Sequence, residues 1–452
     1  MKTETLPSAI NGHNETCTQV FNGVANTGAP QLVSLVIRRA KRYLLLFAML
    51  LAIMLGFIQE SIGQGSTTFN NGLSGTDQSF TFTVPPGVTS ITVQAWGGGG
   101  GGGGNSNNAN GGGGGGGGAY SSSTITGLTP GTDYTVNVGK SGTTTYGSAG
   151  GPGGDSWFGA AITVMAKGGT GGGAATSSSG GTAGVGGASG TGFGITKYSG
   201  GSGGAGRTNG TGTGGGGGSS AGTGANGNNG VAGGTSAGAG GTAPAGGGSG
   251  GAGGAANGNG VAGSTPGGAG GGSGDHDPSG GNGGAGAAGR VTITWTIITI
   301  TGFSPTETCP GKTLTITGTN FTGATAVKFN GVSAITYTVN NANQITATLP
   351  SGATTGLISV TTPDGTGSSS SNFTVTSLKA SSIIKNVSCY GGTDGEITVT
   401  AIGGIAPYYF SKDNGGLYDA GSNPHTFTGL SVGPQYKIRV KDANGCESPA
   451  LQ

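Results

Sequence analysis

The chain has 452 residues, of which 111 are glycine, 8% are charged and 6% are aromatic. This composition excludes a coiled coil or other largely helical protein, and the glycines come in runs with only 17 prolines, which excludes collagen. The formal net charge is +2, and the residues after position 63 carry equal numbers of positive and negative charges. Without a basic stripe the chain has no electrostatic means of holding phosphates, so we do not expect nucleic acid as a partner.

The N-terminal segment has the pattern of an export signal. Four basic residues between positions 38 and 42 precede an apolar run, Tyr43 to Ile58. Sixteen residues suit a signal-peptide core better than the roughly 20 that span a bilayer. The small residues Ser61 and Gly63 then predict cleavage after Gly63. We predict that residues 1–63 are an export signal with a long n-region and that the mature chain is secreted or held at the cell surface. The alternatives are a membrane anchor formed by the uncleaved apolar run and a buried core helix.

The glycines concentrate in one tract that is framed by strands. Between Gly97 and Arg290 lie 82 of the 111 glycines. Two segments that alternate apolar and polar residues, Ser79–Val84 and Ser90–Trp96, precede the tract, and Arg290–Trp295 closes it. Period-2 alternation predicts strands with one buried face. Strands at both ends indicate that the glycine tract is inserted in a β-domain.

Composition leaves two structures open for the tract. Glycine can form extended helices with three residues per turn that pack side by side and hydrogen-bond to one another. It can also form a solvated coil. The residues FTVPPGVTSITVQAWGGGGGGG and GGPGGDSWFG resemble the glycine-rich domains of phage tail-fibre adhesins and of anaplastic lymphoma kinase-type receptors. This resemblance, over residues 66–296, implies a β-sandwich that carries packed glycine helices.

The next segment, residues 297–376, is rich in Thr, Val and Ile with regularly spaced turns. Short alternating strands and the turn dipeptides Asn330-Gly331 and Asp364-Gly365 predict an Ig-like sandwich. The residues ITGFSPTETCPGKTLTITGTNF and ITATLP resemble the IPT/TIG family closely. The resemblance implies a spacer or interaction module of a surface protein.

Residues 380–449 form the last predicted module. The stretches VSCYGGTDGEITVTAIGGIAPYYFS and FTGLSVGPQYKIRVKDANGC resemble the SprB repeat of bacterial gliding-motility adhesins, which implies a second small Ig-like β-module. Because such modules usually come in tandem, we expect the chain to be a fragment of a larger protein. Cys389 and Cys446 flank the module, and in an exported chain we predict that they form a disulfide, contributing roughly 4 kcal/mol. Cys17 and Cys309 have no evident partner.

The chain offers few residues for catalysis or metal binding. His13, His276 and His425 are its only histidines, and they lie in different parts of the sequence. A zinc site or a Ser-His-Asp triad cannot be assembled from them. We therefore predict no catalytic residue, no metal and no cofactor.

Several short motifs are better explained without function. Gly200–Gly204 fits a nucleophile elbow but follows no strand, and Gly150–Asp155 is a single copy of a calcium repeat that needs stacking. Two P-loop-like ends, at Lys140 and Lys312, lack the first glycine. Asp275 and Asp277 could share a cation, although a solvated turn is the simpler interpretation. The side chains Trp96, Trp157 and Trp295 are expected to cap the glycine bundle more than to bind sugars.

Together these features predict an all-β, non-enzymatic, exported surface protein. The favoured function is an adhesin that acts through many weak contacts, with avidity supplied by repeated modules. The alternatives are a carbohydrate-binding accessory part of a larger extracellular enzyme and an ice- or surface-binding protein that uses flat faces of packed glycine helices. The expected partners are extracellular surfaces, glycans or other cell-envelope proteins, with membrane contact only through residues 43–58.

Overall fold

The computed structural model describes residues 63–72, 75–106, 110–159, 163–208, 212–275, 281–433 and 435–452. Within them the regular structure is almost entirely β, with one short 3-10 turn at Ser189–Thr191. The predicted fold class, a β-sandwich with an inserted glycine tract followed by two smaller β-modules, is confirmed. The predicted export signal lies outside the described residues.

The first module is a two-sheet sandwich. Its strands are β1 (Gln64–Asn70), β2 (Gln78–Thr83), β3 (Ser90–Trp96), β4 (Tyr120–Thr126), β5 (Asp133–Val138), β6 (Ser156–Phe158), β7 (Val164–Ala166), β8 (Thr196–Tyr198) and β9 (Arg290–Thr296). One sheet has the order β1-β9-β3-β4-β8 and the other β2-β5-β6-β7. The inward-facing residues of both sheets, among them Val93, Val136 and Ile293, form one apolar core. The alternation in the sequence therefore marks the buried face.

The two ends of the glycine tract meet in this sandwich. Strand β9, which follows the tract, lies between β1 and β3, and it pairs antiparallel with β1 from Gln64–Thr296 to Asn70–Arg290. Because both strands that flank the tract belong to one sheet, the tract is anchored at its two ends.

The glycine tract is a packed bundle of extended segments. Segment 97–104 donates backbone N–H groups to three neighbours in rotation, and each neighbour is reached again at every third residue. Three successive glycines donate at 2.9 Å as follows: Gly100 to Gly116, Gly101 to Gly151, and Gly102 to Gly284. A repeat of three with bonds between segments and none within them is the pattern of polyglycine II-like helices. Of the two structures left open by composition, the packed one is present.

Four segments occupy the centre of the bundle. Each has hydrogen-bonded neighbours on six sides, which gives hexagonal packing. These central segments are residues 97–104, 111–118, 213–221 and 267–275. Most of their glycines leave no space for a side chain, because a β-carbon on Gly102 or Gly217 would lie 2.0 or 2.4 Å from a neighbouring carbonyl oxygen. Glycine is thus required here by close backbone approach.

The second module is an Ig-like sandwich. Its strands are β10 (Thr299–Ser304), β11 (Glu307–Thr308), β12 (Thr313–Thr319), β13 (Ala326–Phe329), β14 (Val332–Ser333), β15 (Tyr337–Asn341), β16 (Gln344–Thr348), β17 (Ile358–Thr362), β18 (Gly365–Ser368) and β19 (Thr374–Val375). Sheets β10-β12-β16-β15 and β14-β13-β17-β18 enclose a core that includes Phe321, Phe329 and Phe373.

The third module is smaller and has two three-stranded sheets. Its strands are β20 (Leu378–Lys385), β21 (Gly395–Gly403), β22 (Tyr408–Ser411), β23 (Asp419–Gly421), β24 (His425–Leu430) and β25 (Arg439–Lys441). The sheet orders are β20-β21-β24 and β23-β22-β25. Val399, Phe410 and Val440 are fully buried between the sheets.

Candidate functional site

The residues that the sequence offered for catalysis or metal binding have structural roles where the structure describes them. Asp155 accepts the N–H of Gly168 and pairs with the ammonium of Lys167, so its carboxylate is already engaged. The ring of His425 stacks on Phe410, with 4.9 Å between ring centroids. In the described part of the chain, no three His, Cys, Asp or Glu side chains are grouped as a metal site would require. His13, His276 and Asp277 lie outside that part.

Two of the tryptophans and the glycines that fit a nucleophile elbow also have structural roles. Trp96 is 4% exposed and packs against Tyr120 at the bundle, while Trp295 packs against the sandwich core. Gly200 and Gly204 belong to a bundle segment, where their N–H groups donate to neighbouring carbonyls. The packing of Trp96 and Trp295 and the hydrogen bonds of Gly200 and Gly204 therefore contribute to the fold.

The predicted disulfide between Cys389 and Cys446 is not the one that the structure contains. Cys446 is bonded to Cys309 of the second module, with 5.8 Å between the Cα atoms, and Cys389 is an exposed free thiol. The physical reason is burial: Cys309 and Cys446 are 5% and 1% exposed at the junction of the modules, whereas Cys389 lies on an exposed turn beyond β20. Sequence proximity suggested a bridge within one module, and tertiary packing brings together residues of two modules instead.

A groove of about 380 Å³ opens at one end of the third module. Its floor consists of Ile397, Leu430 and Ile438, which are at most 7% exposed and belong to the core of the module. Ile384 and Val432 also line it, and these residues are 60% and 57% exposed. The groove is therefore an open continuation of the apolar core.

Strand alternation positions one wall of the groove. Ile384 pairs with Ile397 of β21, and together with Ser382 it faces the groove. Ile383, between them, does not line the groove and is 75% exposed. This follows from the period of two, which sends neighbouring side chains to opposite faces of the sheet.

Tyr436 also lines the groove, and its hydroxyl is held by a nearby residue of the same loop. The hydroxyl of Tyr436 accepts the N–H of Ser431 at 3.2 Å, and the hydroxyl lies 3.4 Å from the Ser431 carbonyl, to which it donates. Gly433, inside this loop, has a φ of 121°, which residues with a side chain rarely adopt. The loop thereby fixes one polarisable ring beside an apolar floor.

The rim of the groove is polar and electrically balanced. Lys385 donates to Glu396 at 3.0 Å, and this hydrogen bond, joined by the charge of Glu396, raises the pKa of the lysine. Asn386, Ser431 and Gln452 supply further hydrogen-bonding groups. A cavity of this size, with apolar walls and a few polar groups, is typical of small-ligand sites. It suits a ligand that has both C–H faces and hydroxyl groups.

No signal in the sequence marked this groove. Ile384 lies in a segment that alternates like any other strand, and Tyr436 lies outside the strands. Their shared site appears only when β20 and β21 meet Ser431, Val432 and Tyr436. The described residues also contain no helix with the length and apolarity needed to cross a membrane. The apolar run at 43–58 lies outside them.

Family models match three parts of the chain. A glycine-rich domain model matches residues 74–296, an IPT/TIG domain model matches 299–376, and a SprB repeat model matches 381–417. The protein therefore combines a glycine-rich domain, an IPT/TIG domain and a SprB repeat, the combination that the sequence resemblances predicted. No match was found among curated proteins.

Among solved structures, partial similarities of low identity were found. They include SGBP-B from a xyloglucan utilization locus of Bacteroides uniformis (20% identity, 34% of this chain and 49% of that one, TM-score 0.16). A second is a surface glycan-binding protein of Prevotella bryantii (18% identity, 34% of this chain and 41% of that one, TM-score 0.17). A third is SGBP-B of the Bacteroides ovatus mixed-linkage glucan utilization locus (18% identity, 35% of this chain and 45% of that one, TM-score 0.17). The similarity spans less than half of each of these proteins. At these TM-scores it does not assign a ligand to this chain.

Proposed function

We propose that the protein is a non-enzymatic, carbohydrate-binding protein of the cell surface, and that the groove in the third module holds the saccharide. The observation that carries the proposal is the groove itself, in which the buried floor, the fixed ring of Tyr436 and the neutral Lys385–Glu396 rim meet. An apolar floor and an aromatic ring suit the C–H faces of a sugar, and the rim suits its hydroxyl groups.

The SprB repeat suggests a location at the cell surface or outside the cell. The adhesin function favoured by the sequence is not confirmed, and the groove supports the carbohydrate-binding alternative better. A soluble saccharide that saturates one site distinguishes the two functions, because an adhesin acting by avidity needs a multivalent surface. The ice- or surface-binding alternative stays a prediction that a measurement of thermal hysteresis tests.

The test is binding of the full chain to a panel of neutral β-glucans, xylans and mannans, by affinity electrophoresis and then by calorimetry with oligosaccharides. We expect saturable binding to at least one of them. Ile384→Asp places a charge in the groove and should weaken binding by about tenfold or more, because the C–H face of the sugar would then meet a carboxylate in place of an apolar side chain. Ile383→Asp makes the same change one residue away on the opposite face, so it should leave affinity unchanged.

Two results contradict the proposal. One is a folded chain that binds none of the panel, and the other is equal weakening by Ile383→Asp and Ile384→Asp. Tyr436→Phe keeps the ring but loses the hydrogen bonds to Ser431. It should retain more affinity than Tyr436→Ala, which removes the ring from the wall.

A further inference from the structure

A second cavity, of about 470 Å³, lies at the junction of the second and third modules. Cys309, Pro310 and Lys312 line it from the second module, and Glu447 and Pro449 line it from the third. Thr376 and Ser377, which connect β19 to β20, and Leu378 and Lys379, the first residues of β20, complete the lining. Ligand sites occur preferentially between domains and in this range of volume. We name this cavity the junction cleft.

The walls of the junction cleft are held at two points. Strand β11 pairs in parallel with β19, and Thr376 donates its N–H to Thr308 at 2.9 Å, which fixes the start of the connection. The Cys309–Cys446 disulfide fixes the other side. Asp442, 2% exposed, accepts the N–H of Cys446 at 2.9 Å and so positions the cysteine. The cleft is therefore a fixed feature of the junction.

The junction cleft has an apolar surface with two ammonium groups beside it. The disulfide, Leu378 and the two proline rings form its apolar part. Lys312 reaches across the junction, since its Nζ would lie 3.1 Å from a β-carbon placed on Gly445 of the third module. In the described part of the chain, neither Lys312 nor Lys379 forms a salt bridge.

Among the described residues that line the cleft, the only acidic one already has a cationic neighbour. Glu447 lies 3.6 Å from Arg439, measured between carboxylate oxygen and guanidinium nitrogen. The two lysines thus give the cleft a positive excess that the groove of the third module lacks. A positive excess within low-dielectric walls raises the affinity for an anion.

We propose that the junction cleft is a second binding site, which takes a saccharide that carries a carboxylate, such as a uronic acid residue. The apolar surface would contact the C–H face of the sugar ring, and Lys312 and Lys379 would bind the carboxylates. The proposal extends the proposed carbohydrate-binding function to an acidic ligand at a separate site.

The test uses the full chain and tetragalacturonate, with the matched neutral galactose tetrasaccharide as control ligand. The double variant Lys312→Ala/Lys379→Ala should bind tetragalacturonate at least about tenfold more weakly, which corresponds to about 1.4 kcal/mol. The control variant Lys328→Ala/Lys412→Ala removes the same number of exposed charges elsewhere and should bind as the wild type does. Raising the salt concentration from 50 to 500 mM should weaken wild-type binding, because salt screens the ammonium–carboxylate attraction.

Three outcomes would overturn the proposal: no binding of tetragalacturonate, equal loss in the control variant, or equal binding of the neutral tetrasaccharide by the same lysines. Equal or tighter binding of a tetraglutamate peptide would show that the site takes acidic peptides instead.

The two sites can be separated. Lys312→Ala/Lys379→Ala should weaken binding of the acidic ligand and leave binding of the neutral glycan unchanged, and Ile384→Asp should do the reverse. If the groove binds no neutral glycan, the proposal for the junction cleft can still be tested by itself.

Discussion

Gly114 and Gly216, from two central segments of the bundle, are so close that a β-carbon on Gly114 would lie 2.1 Å from the carbonyl oxygen of Gly216. That oxygen cannot move aside freely, because it accepts the N–H of Gly204 at 2.8 Å. Close backbone packing therefore requires glycine at particular positions of the bundle, of which Gly114 is one.

Gly114→Ala should destabilise the protein by about 3 kcal/mol or more, since a methyl group is forced against backbone on a side that cannot relax. Thermal unfolding followed by the fluorescence of the buried Trp96 measures the effect. Gly224→Ala is the matched control, because a β-carbon there meets nothing within 4 Å. It should be neutral or slightly stabilising. Equal effects of the two substitutions would contradict the packing argument.

Hydrogen exchange should separate the bundle from its loops. The N–H groups of residues 111–118 all donate to neighbouring segments, so we expect slow exchange there. The exposed residues 224–226 should exchange much faster. Mass spectrometry of peptides from the two stretches tests this, and rapid exchange across residues 111–118 would show that the tract is loose in solution.

The disulfide topology predicts which thiol reacts. Labelling of the folded chain followed by peptide mapping should modify Cys389 and leave Cys309 and Cys446 unmodified. Cys309→Ser/Cys446→Ser should destabilise the third module by about 4 to 5 kcal/mol on the loop-entropy estimate for a sequence separation of 137. Cys389→Ser should have almost no effect, because the side chain is exposed.

One asparagine of the second module bonds to both ends of the junction with the first module. The side-chain amide of Asn320 donates to the carbonyls of Gly63 and Ile297 at 2.6 and 2.8 Å, and its φ is 62°. Asn320→Ala loses both hydrogen bonds and adds left-handed strain, which together should cost about 2 to 3 kcal/mol. Asn320→Gly avoids the strain and should cost less. Limited proteolysis near Ile297 should follow the same order.

Acid should weaken the loop that Asp413 organises. The hydroxyl of Ser411 and the N–H of Leu417 donate to its carboxylate and lower its pKa. A lowered pKa stabilises the fold at pH values above the unfolded pKa, near about 4, and this contribution is lost as the pH falls through the folded pKa. Asp413→Asn should therefore lower the melting temperature at pH 7 and have little effect near pH 2. An equal effect at both pH values would refute this assignment.

The sequence predicts well those features that depend on local periodicity. Alternation placed β2 and β3 within one residue of their observed bounds, and the strand beginning at Arg290 showed that the tract returns to the sandwich. The resemblances implied the three modules, which the family models match.

Features that depend on distant packing could not be predicted. The sequence favours Cys389 as the partner of Cys446, and Cys309 is its partner only because the second and third modules lie side by side. Likewise Ile384 and Ile383 are chemically identical, and only the position of the loop that contains Tyr436 decides which of them faces a groove. Among identical glycines, composition does not show which segment lies next to which.

The central position of residues 267–275 has a consequence for the order of folding. This segment hydrogen-bonds to residues 97–104, 111–118 and 213–221, all of which are much earlier in the chain. Strand β9, later still, completes the sheet between β1 and β3. A nascent chain that ends before residue 267 lacks one of the central segments of the glycine bundle. The first module must therefore assemble after its synthesis rather than during it. Because its contacts join residues that are distant in the sequence, we expect this assembly to be slow.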